Sequence, residues 1–413
     1  MNRRIAFLLL VFVVLGCERA PEAPAQTQTR AEQDDARPLA APIADLDGDN
    51  LLNVAYGAAV VSRTAELNLE TSAMHAIDGM SFTVWTTPPS GPSQTLVFAF
   101  GGTSRVEQLG VTTAQKDQSP ETVRFSASSD GKSWREIIAI QPSERRTTMM
   151  DVPPFDARYL RVETIEPKEQ YATIASFHAV GRELAPPPRL SFDGCWDVNM
   201  LRATFVQRGA RITGAIAGAK SPTYVDGGVE GRVARLMWMR GAMWGYAVAT
   251  LTPGANGISA ITFHEDPIFS QFGEAWIGGR CSDRASTIAP LAPAEFLRRA
   301  GRWTMSGIVF DGEERLIHEP SRGTLDAAAA LIRSQPSQRF RITAREYRNN
   351  DPAMNQRVTV ARIEAVRAAL RARGVDLSRV EFAGEGSKPI EYEMPSAVQR
   401  MLWSRIDLSA VGR

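Results

Sequence analysis

From residue 51 to residue 284 the chain is cut into short β-type runs by Gly, Pro, Ser and Asp, and helical spacing appears only after residue 300. This order constrains the fold more than composition does. Residues 95–100, 122–126 and 158–162 read as strands. In the last two, apolar and polar side chains alternate, as in antiparallel strands with one buried face. Asp130-Gly131 is a turn signal between strands. Residues 51–184 are therefore expected to form a β-sandwich.

A Pro-rich linker at 185–188 separates this module from a second, at 190–284. Runs at 203–207, 211–216, 232–238, 244–249, 258–263 and 274–277 begin 8–16 residues apart, with one wider gap before 232, and have glycines between. That spacing predicts a small antiparallel barrel or sandwich. Trp238, Trp244 and Trp276 either line a ligand cavity or fill the core, and filling is the commoner role. From 300 to 413 the pattern is mixed α/β. A strand is expected at 305–310. A helix carries Leu325, Ala328, Ala329 and Ile332 at helical spacing, with Pro336 beyond its end. A strand over Phe340, Ile342 and Ala344 follows. A second helix has the stripe Val358, Ala361, Ala365 and Ala369 and is closed by Gly374. Strands at 380–383 and 405–408, with a helix beginning near Pro395, complete the set. The fold class is multidomain: a jelly-roll sandwich, a small barrel or sandwich, then an α/β domain.

The N-terminus sets the compartment. Arg3 and Arg4 precede an apolar run at 5–15, eleven residues long. A membrane-spanning helix needs about 20, so this is a signal-peptide core. Val14-Leu15-Gly16-Cys17 resembles the bacterial lipobox, which implies cleavage after residue 16 and lipidation at Cys17. Stable anchoring takes two acyl chains or more. Residue 18 is Glu, so an outer-membrane address is favoured over inner-membrane retention, with the lipid anchor facing the periplasm. Residues 17–50 are poor in large apolar groups and read as a tether. Cys195 and Cys281 are the remaining cysteines, an even number in an oxidising compartment, so one disulfide is expected. With 47 basic and 46 acidic residues the chain carries +1, too little to attract nucleic acid.

Ala76-Ile77-Asp78-Gly79 with Thr83-Val84-Trp85 resembles the "A-x-D-G … T-x-W" of discoidin (coagulation factor five/eight type C) domains. Residues 126–134 resemble their "S-x-D-G-x-x-W" segment, residues 157–162 their "A-R-Y-V-R-I", and residues 174–181 their closing strand. The resemblance implies a jelly-roll whose loops at one end bind sugars or phospholipid headgroups. Arg63, Glu70 and His75 are candidate sugar contacts on exposed loops. Trp85 and Trp134 read as core. In sugar-binding relatives the Asp and Thr matched by Asp78 and Thr83 help hold a structural calcium. Ser176 stands where those relatives carry a further Glu, and losing a charged oxygen weakens such a site.

Residues 355–362 resemble the "N-x-x-L-S-x-x-R" signature of OmpA-like peptidoglycan-binding domains. Gly374-Val375, the "G-x-G-x-x-x-P" of residues 384–389 and the "R-V-E-I" of residues 405–408 follow in order. The resemblance implies that Asn355, Thr359 and Arg362 belong to a diaminopimelate pocket, with Arg362 on the ligand carboxylate. The family Asp that pairs with the ammonium is replaced by Tyr347. Glu346 is adjacent, but a one-residue shift at a strand end aims it elsewhere. The pocket is then weakened or lost, and Arg362 has a second reading as an intradomain ion-pair partner.

No nucleophile–base pair, phosphate loop or metal constellation is legible. Asp311, Glu313 and Glu314 read as a solvated strand-to-helix loop. The expected function is a non-catalytic outer-membrane lipoprotein that joins the membrane to peptidoglycan and presents β modules to a glycan or envelope protein. The alternatives are a scaffold whose OmpA-like fold no longer holds cell wall and, less favoured, an enzyme with its site in the middle module.

Overall fold

The computed structural model describes residues 50–412 except 81–82, 89–92, 115–117, 144–146, 168–170, 186–188, 219, 265–273, 282–287, 313, 348–350 and 388–396. The signal segment, Cys17, the tether up to residue 49, the prolines at 186–188, Glu313 and Lys388-Pro389 lie outside the described residues.

The first module contains β1 (Ala59–Arg63), β2 (Trp85–Thr86), β3 (Ser93–Thr113), β4 (Pro120–Ser128), β5 (Arg135–Ile140), β6 (Thr147–Pro167) and β7 (Thr173–Ala185). They pair antiparallel in the order β2-β7-β3-β6-β4-β5, with β1 also on β3. Strands β3 and β6 are 21 residues each. Their shared register slips between Ala99 and Ser104 and again between Val106 and Gln108. Bulges of this kind bend and twist long strands, so one hydrogen-bonded ladder can wrap a core. There Phe177 meets Trp85, Phe98 and Phe125 with ring centroids 5.8–6.2 Å apart, all four rings fully buried. The Asp130-Gly131 turn forms as expected. Gly131 has φ +75°, and Asp130 Oδ1 accepts from the Lys132 and Ser133 amides at 2.8 Å. Trp134 departs from its core reading: it is half-buried, with the Arg161 guanidinium 5.1 Å over its ring.

The second module is a closed barrel of β8 (Gly194–Val198), β9 (Leu201–Arg208), β10 (Arg211–Ile216), β11 (Thr223–Glu230), β12 (Val233–Arg240), β13 (Met243–Leu251), β14 (Gly257–His264) and β15 (Ala275–Arg280). Strand β15 returns to β8, and Cys195 and Cys281 are bridged beside that seam with their Cα atoms 5.5 Å apart. Strands β8 and β11 escape a propensity reading. β11 carries Asp226-Gly227-Gly228, residue types depleted in strands. Packing overrides propensity there. Asp226 is buried against Arg211 at 2.6 Å, and a Cβ on Gly228 would lie 1.9 Å from the Ser306 carbonyl oxygen. Trp196, Phe205, Leu236, Trp238 and Trp276 fill the interior, as side chains do in eight-stranded barrels. Trp244 faces outward, edge-on to Tyr246 and 5.5 Å under the Arg302 guanidinium. Both faces of β13 are covered, so all but its first residue are buried.

The third module contains α1 (Pro293–Ala300), β16 (Arg302–Thr304), α2 (His318–Ser334), β17 (Arg339–Ala344), α3 (Pro352–Arg371), β18 (Val380–Gly384), α4 (Ala397–Trp403) and β19 (Ile406–Val411). The sheet order is β16-β19-β17-β18, with β17 and β18 parallel. Two sequence expectations need correcting. The strand expected at 305–310 lies earlier, at β16, and of that stretch Phe310 alone makes a bridge, to Leu316. The α3 face is also rotated from the alanine stripe. Its buried residues include Asn355, Thr359, Arg362, Ile363, Val366 and Ala369, while Ala361 is exposed. Polar groups on that face have partners that an apolar-stripe rule does not count. Thr359 Oγ1 accepts from the Gly386 amide at 3.0 Å and donates to the Gln356 carbonyl.

The three modules touch directly. Thr250 Oγ1 on the barrel donates to the Ala58 carbonyl at 3.0 Å. Arg232, also on the barrel, is 1% exposed and donates to the Gly101 carbonyl at 3.3 Å. Burial lowers its pKa to about 10. On the other side, the Arg405 guanidinium lies 4.5 Å over the Tyr246 ring and pairs with Asp407 at 2.8 Å.

Candidate functional site

Two regions gather the residues singled out in the sequence. The first is the loop after β1. Glu66 organises it: one carboxylate oxygen pairs with Arg63 at 2.7 Å, and the other accepts from Ser72 Oγ at 3.1 Å and the Ala73 amide at 2.9 Å. Ser72 caps a short 3-10 helix, Ala73–Ile77. Around that anchor the end of β1 presents Arg63 and the apolar Val61, and the loop presents Glu70, Leu67 and Leu69, the three apolar residues being exposed by 39%, 44% and 40% in chain order Val61, Leu67, Leu69. Grouped exposed apolar side chains with polar neighbours suit a contact surface. Arg63 and Glu70 are thus at the surface, as expected. His75 is not: it is 0% exposed in a 3-10 helix whose five residues, Ala-Met-His-Ala-Ile, are all buried, the apolar four in the sandwich core. It is withdrawn as a sugar contact.

Asp78 ends that helix, with 0% exposure. Its Oδ1 accepts from the Met80 amide at 2.9 Å, and its two oxygens lie 3.0 and 2.9 Å from the Thr83 hydroxyl. Burial holds its carboxyl well above the ordinary carboxylate range, and the bonds to Met80 and Thr83 offset only part of that.

The second region lies at the middle of α3. Arg362 is 7% exposed; its Nε donates to Glu314 Oε2 and its Nη1 to Glu346 Oε2 at 2.7 Å, with the Phe310 ring 5.0 Å from the guanidinium. Thr359 and Asn355, about one and two turns N-terminal on the same face, are buried. Two sequence readings change. Glu346 is aimed at Arg362 despite its one-residue offset, because β17 ends at Ala344 and the chain has left the strand alternation by residue 346. Glu314 is no solvated loop residue, since its side chain is 15% exposed and bonded to Arg362. No motif marks Glu314, because it comes from a loop 48 residues before its partner. Tyr347 follows Glu346 directly. Its ring meets Trp403 edge-on at 5.6 Å, and its amide donates to Ser404 Oγ and Glu346 Oε1 at 2.9 Å each.

The F5/8 type C domain model matches residues 60–177. Residues 60–177 form an F5/8 type C domain. No curated protein matches the chain. Among solved structures, the chain is similar to a CBM32 module from Clostridium perfringens in complex with GalNAc-β-1,3-galactose, at 19% identity. The match covers 30% of this chain and 96% of that one, with a TM-score of 0.28. It is also similar to the family 32 module of C. perfringens NanJ in complex with galactose, at 20% identity, 32% and 97% coverage and a TM-score of 0.29. The C-terminal domain of a chitobiase from Bacteroides fragilis matches at 20% identity, 31% and 96% coverage and a TM-score of 0.30.

Within the F5/8 type C domain, the Asp78 carboxylate, the Thr83 hydroxyl and the Met80 carbonyl meet within hydrogen-bond distance. These are oxygen donors of the kind a hard cation takes. Among the described residues no group of three or more His, Cys, Asp or Glu side chains is placed to hold a metal ion.

The folded pKa of Asp78 lies above its unfolded value, so the native state binds more protons and stability falls as pH rises above about 4. In calcium-free buffer Asp78→Asn is expected to flatten that slope and melt above wild type at pH 8, read by calorimetry. If millimolar calcium raises the wild-type melting temperature and leaves Asp78→Asn unmoved, the cation occupies this carboxylate.

Proposed function

We propose that the chain is a non-catalytic envelope lipoprotein that binds glycan through its F5/8 type C domain. The observation that carries this reading is that domain's loop, where the Glu66 anchor fixes an exposed set of Arg63, Leu67, Leu69 and Glu70. Arginine and carboxylate side chains supply the directional hydrogen bonds that sugar hydroxyls require, and the leucines supply apolar surface for the sugar ring. Galactose and N-acetylgalactosamine are the first ligands to test, since the similar modules named above were solved with sugars of this kind. Titration of the full chain with galactose is expected to give saturable binding that Arg63→Ala weakens about tenfold or more. Equal heats for Arg63→Ala and wild type would remove this loop as the binding face.

In this reading Cys17 carries the lipid, the outer membrane holds the protein on its periplasmic side, and the tether spaces the folded modules from it. The third module is read as OmpA-like and wall-facing. Its support is that Arg362, Asn355 and Thr359 share one helix face and that Glu346 supplies a carboxylate beside the position of the missing family Asp. The second reading, a scaffold that no longer holds cell wall, has its own support: Arg362 already has carboxylate partners within the chain. Fractionation with Cys17→Ala and sedimentation with purified sacculi separate the two. The variant should leave the membrane fraction, and wild type should pellet with sacculi only under the first reading. The interior of the barrel is filled by Trp196, Trp238 and Trp276, which favours a spacer role over an enzymatic one.

A further inference from the structure

We propose that Glu314 is a built-in plug on Arg362, a carboxylate that an incoming ligand carboxylate has to displace. For its physiological ligand, a cell-wall peptide carboxylate, the proposal rests on the wall-facing reading of the third module; the plug itself does not.

The two carboxylates on Arg362 are held differently. Glu346 follows β17 by two residues, has a side chain 1% exposed, and also accepts from the Tyr347 amide through Oε1. It is part of the packed frame. Glu314 sits on a short loop between Phe310 and Leu316, which bridge antiparallel. Asp311 ties that loop: its carbonyl accepts from the Glu314 amide at 3.0 Å, its Oδ1 from the Arg315 amide at 2.8 Å, and its Oδ2 pairs with Arg315 Nε at 2.7 Å. Glu314 itself has φ +59°, in the left-handed region that residues with a side chain rarely occupy. A strained residue whose side chain caps a guanidinium is a contact that a competing ligand can release.

The geometry also explains why the plug matters. A guanidinium takes a carboxylate best through two parallel N–H groups. Glu346 engages Nη1 and Glu314 engages Nε, so both partners are acidic side chains of the chain itself, and the Phe310 ring lies against the guanidinium. With Glu314 in place the Arg362 side chain is 8% exposed. An external carboxylate reaches the Nε side only when Glu314 leaves, so its apparent affinity is reduced by the fraction of molecules that are open.

The test uses the full chain as wild type, Glu314→Gly, which suits the left-handed backbone, and Glu314→Gln, which keeps the shape and drops the charge. Two readouts separate the plug from the wall reading. Phenylglyoxal labelling of Arg362, followed by peptide mass spectrometry, reports access to the guanidinium without any wall ligand. It is expected to quicken about tenfold in Glu314→Gly. Sedimentation with sacculi reports the ligand, and Glu314→Gly is expected to bind about tenfold or more tighter than wild type. Unchanged labelling of Arg362 in both variants overturns the plug, and so does sacculus binding that is measurable and equal in all three proteins. Faster labelling with no sacculus binding by any of them supports the plug and removes the wall-facing reading.

Discussion

Cutting the Cys195–Cys281 bridge is expected to destabilise the barrel by about 4–5 kcal/mol at most. The two cysteines are 86 residues apart, so the bridge removes a large loop-closure freedom from the unfolded chain. Its position adds to the effect. It lies beside the seam where β15 meets β8, which has three register pairs, Gly278↔Val198, Gly279↔Asp197 and Arg280↔Trp196. The β12–β13 ladder, by contrast, has eight. The short seam also relies on Arg280, whose guanidinium lies 3.9 Å over the Trp196 ring and donates to the Ser191 and Ala255 carbonyls. Calorimetry of Cys281→Ser against wild type should show a barrel transition lowered by many degrees. Arg280→Ala in the Cys281→Ser background should lower it again, because a further contact beside the seam is then lost. A Cys281→Ser variant that melts with wild type would show that the ladder holds the seam unaided.

Replacing Arg362 by Leu is expected to cost about 3–5 kcal/mol, because it leaves the buried Glu346 carboxylate without its counter-charge. Denaturant unfolding of the full chain reads the loss. The double variant Arg362→Leu with Glu346→Leu is expected to recover much of it, since replacing both members of a buried ion pair by apolar groups is often close to neutral. Additive losses in that cycle would mean that the two side chains do not interact. The effect on stability is a reason to test ligand binding through Glu314 rather than through Arg362 itself.

What could be read from the sequence differs by region, and the reasons are physical. Alternation marked β4 and part of β6, since each buries one face. The Asp130-Gly131 turn was legible because the geometry needs a residue tolerant of positive φ, and glycine supplies it. Propensity missed β11, where Asp226 and Gly228 serve contacts made by other parts of the chain. His75 read as a loop residue because its own ring is polar, yet it lies in a fully buried 3-10 helix among Met74, Ala76 and Ile77. On α3 the apolar-stripe rule chose the alanines, which are indifferent to burial, over Asn355, Thr359 and Arg362, whose polar groups find partners only in the folded chain.

The sequence by itself determined the β-rich order of the chain, the F5/8 type C signature at its first module and which two cysteines were left to pair. These depend on local periodicity, turn chemistry and counting, all of which are properties of neighbouring residues. The tertiary structure alone decided that the barrel packs against both flanking modules, that its fourth strand needs a glycine for Ser306 to approach, and that Arg362 is held between Glu314 and Glu346. Those outcomes depend on contacts between residues far apart in the chain, and no local pattern encodes which distant carboxylate a buried guanidinium will meet.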